Sequence, residues 1–286
     1  MFEGGLAYYR INGIIPSRTI VHKAQASCHA KWRESMARTV AKKVSNATVA
    51  VHDEGLRIYM SNIFLLMMLG LAVTGVASMA VVNSPYLLSW MVEKGAEGKD
   101  ELSWWWYGLV FAELSLVGNM SDRAKDPNLG VLKGVLIFSL YAGLNGLTLS
   151  PVIHLFTTTS VLKVFLITAS AFSSCALWGY TTKRDLTGLG SFLVIGLFGL
   201  LVVMVVNLFL HAPAIDFLVC AAGVLIFAGL TAWHMQDLRR LYDEEGNTIG
   251  MVVSGALSLY LAFLNLFQFL LIIFGIPVGG SGDDDD

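Results

Sequence analysis

Residues 189–210 read LGSFLVIGLFGLLVVMVVNLFL and contain no charged side chain. An α-helix rises about 1.5 Å per residue, so about 20 apolar residues cross the roughly 30 Å hydrocarbon core of a bilayer. This stretch therefore predicts a transmembrane helix. Six further apolar runs meet the same criterion, at residues 60–82, 104–120, 130–149, 153–179, 215–236 and 250–274.

The segments between these runs are short and resemble turns. They include Asp126-Pro127-Asn128, Ser150-Pro151 and His211-Ala212-Pro213. The run at 104–120 is the weakest, because Glu113 interrupts it. It opens with Trp104, Trp105 and Trp106, which are typical of the membrane interface. The pattern predicts an all-α, polytopic membrane protein, a bundle of seven transmembrane helices.

The composition agrees with a chain that is largely immersed in lipid. Hydrophobic residues make up 55% of the sequence and charged residues 14%, and the mean hydropathy is +0.65. Soluble domains carry about 25% charged residues. A bare charge at the bilayer centre costs at least about 2.5–3.5 kcal/mol, which explains the shortage of charge.

The distribution of Lys and Arg predicts the orientation, because short cytoplasmic loops are enriched in these residues. Residues 1–52 are strongly basic. If they lie inside, the inside loops carry Arg123, Lys125, Lys183, Arg184, Arg239 and Arg240. The first outside loop then carries Lys94 and Lys99 among acidic residues. The amino terminus is therefore expected on the cytoplasmic or matrix side.

Three regions follow from this pattern. Residues 1–55 form a basic extension, and His29–Lys43 could form a basic amphipathic helix. The extension fits either a tail held on anionic lipid or a mitochondrial targeting stretch. It lacks the interleaved aromatic residues that would stack nucleic-acid bases, so we expect no nucleic-acid partner. Residues 56–275 form the membrane domain, and 276–286 a Gly/Ser/Asp tail.

Ionisable residues at membrane depth are candidates for function. Glu113 lies within the second run and His234 near the end of the sixth. A carboxylate and an imidazole could form an intramembrane polar couple, which would reduce the cost of burying either group. The alternative is that each group is satisfied separately.

Several functional classes are disfavoured by the sequence. A retinal protein needs a lysine in its last span, and residues 250–274 contain none. A G-protein-coupled receptor would have the opposite orientation. We find no catalytic triad, no metal-ligand spacing and no phosphate-binding glycine loop, so we expect no enzymatic activity, cofactor or metal site.

One loop and two helical segments carry a more specific signal. Residues 178–190 read WGYTTKRDLTGLG, residues 146–150 read GLTLS, and residues 255–261 read GALSLYL. With these motifs, residues 59–275 resemble the Bax inhibitor family (TMBIM, YccA-type), and the bacterial and mitochondrial branch in particular. The family loop motif covers Gly179, Tyr180, Thr181, Thr182, Lys183, Arg184 and Asp185.

The resemblance implies a seven-helix bundle whose last helix is wrapped by the other six. It also implies a pH-sensitive calcium leak, in which aspartates on the sixth and seventh helices share a proton, and in some members binding to membrane-protease or apoptosis machinery. This sequence departs from that pattern at both aspartates. Residues 232–236 read AWHMQ, which places His234 at the first position. Residues 259–263 read LYLAF, which places Ala262 at the second.

These departures lead to two functional hypotheses. In the first, the protein has a degenerate proton switch and is a structural, regulatory or assembly component of a bacterial or mitochondrial inner-membrane complex. Its partners would be the lipid bilayer and respiratory or protease complexes. In the second, it remains a leak for Ca²⁺ or other cations, and Glu113 and His234 replace the aspartate pair in proton-dependent gating.

Overall fold

The computed structural model describes residues 18–94, 100–123, 130–210, 212–246 and 248–278. Within residues 18–50 it describes side chains only at Arg38, Thr39, Lys42 and Lys43. The described residues form eight α-helices and one short hairpin, which confirms the all-α class. In chain order these elements are α1 (Arg18–Val82), α2 (Pro85–Met91), β1 (Val92–Lys94), β2 (Asp100–Leu102), α3 (Trp104–Arg123), α4 (Val131–His154), α5 (Thr158–Thr181), α6 (Thr187–Leu210), α7 (Pro213–Glu245) and α8 (Ile249–Phe274).

The chain divides into two compact units, Met1–Gly55 and Leu56–Asp286. In the first unit the described residues are helical from Arg18 onward, including the segment 29–43. The side chains of Arg38, Lys42 and Lys43 are exposed. Arg38 and Lys42 are four residues apart and therefore lie on one helix face. The predicted roles of this extension stay predictions.

Six helices are long and apolar enough to cross a bilayer. They cover Val51–Val82, Val131–His154, Thr158–Thr181, Thr187–Asn207, Pro213–Glu244 and Ile249–Phe274. These correspond to six of the seven predicted spans, so a polytopic helical bundle is confirmed. The remaining run, 104–120, forms α3, but α3 is not among these six, and the side chains of residues 119–123 are not described. The count of seven spans therefore stays a prediction.

The boundary predicted at Ser150-Pro151 is wrong, because α4 continues through both residues to His154. A proline inside a helix leaves the carbonyl four residues earlier without its N–H donor. Here the Ser150 hydroxyl donates to the Leu147 carbonyl at 2.7 Å and so satisfies the group that Pro151 leaves free. The chain turns only after His154, and the Thr157 side chain caps α5 by accepting from the Ser160 N–H.

Helix α7 extends beyond the predicted span, which ended at residue 236. It contains 33 residues, which corresponds to about 50 Å and exceeds the hydrocarbon thickness. The charged segment 237–245 has no Pro or Gly, and Arg240 pairs with Glu244 one turn later at 2.9 Å. The helix ends at Gly246, whose φ of 79° favours glycine.

Helix α8 is the most buried of the six spans. Within its apolar window 61% of positions are buried, against 50% in α4 and 33% or less in the other four. Leu259, Tyr260, Leu266 and Leu271 have no exposed surface. The helix packs against α3, α4, α5 and α7, and the Tyr260 hydroxyl contacts Thr74 of α1. The central position predicted for the last helix is confirmed.

A small connection that the sequence patterns did not predict joins α1 to α3. Strands β1 and β2 pair antiparallel after α2, and the Ser103 hydroxyl donates to Glu93 at 2.7 Å. Trp104 and Trp105 are 85% and 65% exposed, as expected for an interfacial belt. Trp106 differs, because its indole N–H donates to the Thr148 carbonyl on α4.

Candidate functional site

The loop between α5 and α6 is held against α7 by two close backbone approaches. A Cβ atom added at Gly179 would collide with the backbone of Ala232, and one added at Gly190 would collide with the Trp233 ring. Small residues allow helices to approach closely, which is a main source of packing energy in membranes. The two glycines of segment 178–190 therefore let the ends of α5 and α6 contact α7.

Gln236 on α7 fixes the backbone of this loop. Its side-chain oxygen accepts a hydrogen bond from the Leu186 N–H at 2.7 Å. Its side-chain nitrogen donates to the Arg184 carbonyl, also at 2.7 Å. Both polar ends of the amide are thus used on one short loop, and they set the position of residues 184–186 relative to α7.

A second contact joins α7 to the end of α5. The Arg239 guanidinium lies 5.6 Å from the centre of the Tyr180 ring, and its Nη1 atom donates to the Tyr180 carbonyl at 3.3 Å. A cation over an aromatic face contributes about 0.5–1 kcal/mol at an exposed site. Tyr180 of the loop motif therefore has a structural partner on α7.

Asp185 stabilises the turn that leads into α6. Its carboxylate accepts from the Thr187 hydroxyl at 2.6 Å and from the Thr187 N–H at 2.9 Å. These hydrogen bonds stabilise the charged form, so the pKa of Asp185 lies below its ordinary value. The acidic residue of the loop motif thus holds the turn that precedes α6.

The two positions that the resemblance assigns to a proton switch, His234 and Ala262, lie on α7 and α8, which pack against each other. His234 is half-buried, and its ring lies 4.8 Å from that of its neighbour Trp233. Ala262 is 2% exposed in the middle of α8. Among the described residues, no group of three His, Cys, Asp or Glu side chains could hold a metal ion.

A second polar site surrounds the segment 142–148 of α4, and we call it the α4 polar cluster (Thr74, Ser78, Glu113, Thr148 and Tyr260). The Thr148 hydroxyl donates to the Glu113 carboxylate at 2.7 Å. The Thr74 hydroxyl contacts the Ala142 carbonyl at 2.9 Å and the Tyr260 hydroxyl at 2.6 Å, and Ser78 donates to the Gly146 carbonyl at 2.8 Å. Side chains from α1, α3 and α8 therefore converge on α4.

The structure does not bring Glu113 and His234 together. Glu113 pairs with Thr148, which lies six residues before the end of α4 at His154. His234 lies next to Trp233, which packs on Gly190 near the start of α6. Helices α4 and α6 begin at the end of the bundle where α5 and α7 finish. Thr148 lies near the end of α4 and Gly190 near the start of α6, so the two contacts lie toward opposite ends of the bundle. Each group has its own surroundings, and direct coupling between them stays a prediction.

Sequence reasoning missed Thr74, Ser78, Thr148 and Gln236. A signal was present for the first two, since Thr74 and Ser78 are four residues apart in an apolar run and so share one helix face. Gln236 belongs to the segment AWHMQ, but its partners lie 50 and 52 residues away on the α5–α6 loop and leave no signal in the local sequence. The contact of Thr148 with Glu113 could not be read from spacing, because Glu113 lies on another helix.

The fold and the site together define the class of protein. It is a polytopic α-helical integral membrane protein with a central last helix, and its loop after α5 is hydrogen-bonded to α7. Residues 56–278 match the family model described as "Inhibitor of apoptosis-promoting Bax1". Because the match covers more than half of the chain, the protein belongs to this family.

Three relatives are similar to the chain over about three quarters of its length. Inner membrane protein YbhL of Escherichia coli (strain K12) is 34% identical over 226 residues, which cover 77% of the chain and 92% of that protein. An uncharacterized protein of Caulobacter vibrioides is 40% identical over 232 residues, covering 78% and 90% respectively. The uncharacterized protein RP147 of Rickettsia prowazekii is 35% identical over 228 residues, covering 78% and 91%.

Proposed function

We propose that the protein is a Bax-inhibitor-family bundle without the family proton switch, acting as a structural, regulatory or assembly component of an inner-membrane complex. The observation that carries this proposal is Ala262, a buried methyl side chain at the centre of the bundle. It can neither bind nor release a proton, and His234 supplies no second carboxylate. In this proposal the protein is not an enzyme and requires no cofactor.

The packing elements support a role that depends on shape and contact. The close approaches at Gly179 and Gly190 and the hydrogen bonds of Gln236 are all present. The contacts that hold the bundle together are thus present, while the two carboxylates expected to titrate are replaced by His234 and Ala262. A protein of this kind can present a defined surface to partners in the membrane, such as respiratory or protease complexes.

Purification from the native membrane in a mild detergent tests this proposal. We expect one or more partners to co-purify in a fixed ratio to the chain, as judged by quantitative mass spectrometry. An unrelated membrane protein of similar abundance, carrying the same tag, is the control for carry-over. Recovery of a monomer alone, at several detergent strengths, would contradict the proposal.

The host membrane is part of the same proposal. The Escherichia coli relative is named an inner membrane protein. We place this chain in a bacterial or mitochondrial inner membrane, with the amino terminus on the cytoplasmic or matrix side. Protease treatment of sealed inner-membrane vesicles of known sidedness tests the orientation: an amino-terminal tag should be cut only in inside-out vesicles.

A second candidate is a leak for Ca²⁺ or other cations that responds to protons through Glu113 and His234. It is supported by the half-buried carboxylate of Glu113, which accepts a hydrogen bond from Thr148. Calcium flux into liposomes should then depend on pH through the protonation of these two groups. Glu113→Gln and His234→Ala should each alter the pH dependence. Flux equal to that of empty liposomes at every pH would exclude this candidate.

A further inference from the structure

A cleft opens between the α5–α6 loop and the side of α7. Its volume is about 280 Å³, and its walls include Lys183, Arg184, Asp185, Trp233, Asp237 and Arg240. The loop joins two membrane-spanning helices, so the cleft lies at the membrane surface. Tryptophan is favoured at this level, where its ring lies in lipid and its N–H in water.

The charges in this cleft are of both signs, and several are not neutralised locally. Lys183 and Arg184 are exposed, and among the described residues their side chains make no hydrogen bond or ion pair. Asp237 on the opposite wall makes no hydrogen bond or ion pair in the described part of the chain, although the nearby Arg240 charge acts on its carboxyl group. The other two charged groups have hydrogen-bond partners, since Asp185 accepts from Thr187 and Arg240 donates to Glu244; the Arg240 charge also acts on Asp185 and Asp237.

We propose that this cleft binds the headgroup of a zwitterionic aminophospholipid, such as phosphatidylethanolamine. The lipid phosphate pairs with Lys183 and Arg184, and the primary ammonium donates a hydrogen bond to Asp237. A headgroup that is only anionic brings no cation to Asp237. A choline headgroup carries a positive charge but has no N–H to donate. The arrangement therefore favours ethanolamine over both.

The cleft is held in shape before any lipid binds. Gln236 precedes Asp237 on α7, and its two hydrogen bonds fix the backbone of Leu186 and Arg184. The cationic wall and the acidic wall thus keep a constant separation. A preorganised site loses less conformational entropy on binding, which increases affinity.

Native mass spectrometry of the full chain in detergent tests the assignment. The protein is mixed with equal amounts of phosphatidylethanolamine, phosphatidylcholine and phosphatidylglycerol that have identical acyl chains. We expect phosphatidylethanolamine to bind about tenfold more tightly than phosphatidylcholine, the ratio that one charge-assisted hydrogen bond supplies. Lys183→Ala/Arg184→Ala should reduce retention of all three lipids. Asp237→Asn should remove the preference for ethanolamine over choline.

The matched control is Lys133→Ala, which removes an exposed cation on the first turn of α4, outside the cleft. Its lipid profile should equal that of the wild type. The cleft variants should keep the wild-type thermal midpoint, because Gln236 holds the loop through backbone atoms only.

Three results would overturn the proposal. The first is retention by Lys183→Ala/Arg184→Ala that equals the wild type. The second is a wild-type preference for phosphatidylglycerol, which would mean that the cleft selects lipids by negative charge alone. The third is binding of soluble phosphoethanolamine as tightly as the lipid, which would assign the site to a free phosphate ester instead of a membrane component.

Discussion

The contact between Gly179 and the backbone of Ala232 can be tested by adding one methyl group. In Gly179→Ala the new Cβ atom would meet the main-chain carbonyl of α7. A main-chain carbonyl cannot rotate away as a flexible side chain can, so α5 and α7 must separate. The substitution therefore tests whether this approach holds the loop end of the bundle together.

The expected cost follows from two opposing effects. Alanine is more favourable than glycine inside a helix by about 0.5–1 kcal/mol. Overpacking in a tight interior costs about 1–3 kcal/mol, and a backbone collision belongs at the upper end of that range. The net destabilisation is about 2 kcal/mol, which lowers the thermal midpoint of a chain of this size by about 4–8 °C.

Thermal unfolding in detergent micelles, followed by tryptophan fluorescence, measures this shift. Gly199→Ala is the matched control, because a Cβ atom at Gly199 on α6 meets nothing within 4 Å. We expect the control to keep or slightly raise the midpoint. If Gly179→Ala and Gly199→Ala behave alike, the close approach of α5 to α7 does not stabilise the bundle and the reasoning is wrong.

Three further predictions concern polar contacts. Gln236→Ala removes two hydrogen bonds of 2.7 Å and should lower the free energy of unfolding by about 2 kcal/mol, measured by thermal unfolding; an unchanged midpoint would mean that the loop is held by other contacts. Thr148→Val keeps the shape but leaves the Glu113 carboxylate without its donor, and should cost about 1–3 kcal/mol by the same assay. A Thr148→Ser variant, which retains the hydroxyl, should lose less. Asp185 has a lowered pKa, so its contribution to stability is present above the ordinary aspartate pKa and is lost as the pH falls through the lower folded value. Asp185→Asn should therefore flatten the dependence of the thermal midpoint on pH below about pH 4, and an unaltered pH profile would argue against a stabilising role of the Thr187 hydrogen bonds.

Much of the bundle could be predicted from the sequence, because a helix that crosses lipid requires a long run of apolar residues. An uncharged run of 22 residues such as 189–210 predicts a membrane-spanning helix. The segment 178–190 was likewise predicted from its resemblance to the family loop motif. In the structure, Gly179 and Gly190 permit contact with α7, and Asp185 stabilises the turn before α6.

The remaining features depend on contacts between distant segments. Pro151 predicted a boundary, but the Ser150 hydroxyl compensates for the missing N–H, and sequence rules weigh the proline alone. The end of helix α7 could not be predicted from hydropathy, because an apolar run indicates how much of a helix lies in lipid and not where the helix ends. The partner of Glu113 is Thr148, 35 residues away, and no spacing within one helix could indicate it.

We propose that the chain keeps the family bundle but lacks the proton switch at His234 and Ala262. Calcium flux into liposomes, measured between about pH 6 and 8, tests it most directly when the wild type is compared with His234→Asp/Ala262→Asp. We predict that the wild type matches empty liposomes at every pH. The double variant, with both carboxylates restored, should gain a flux that increases as the pH rises and the pair loses its shared proton. A wild-type flux that depends on pH and is abolished by Glu113→Gln would contradict the claim.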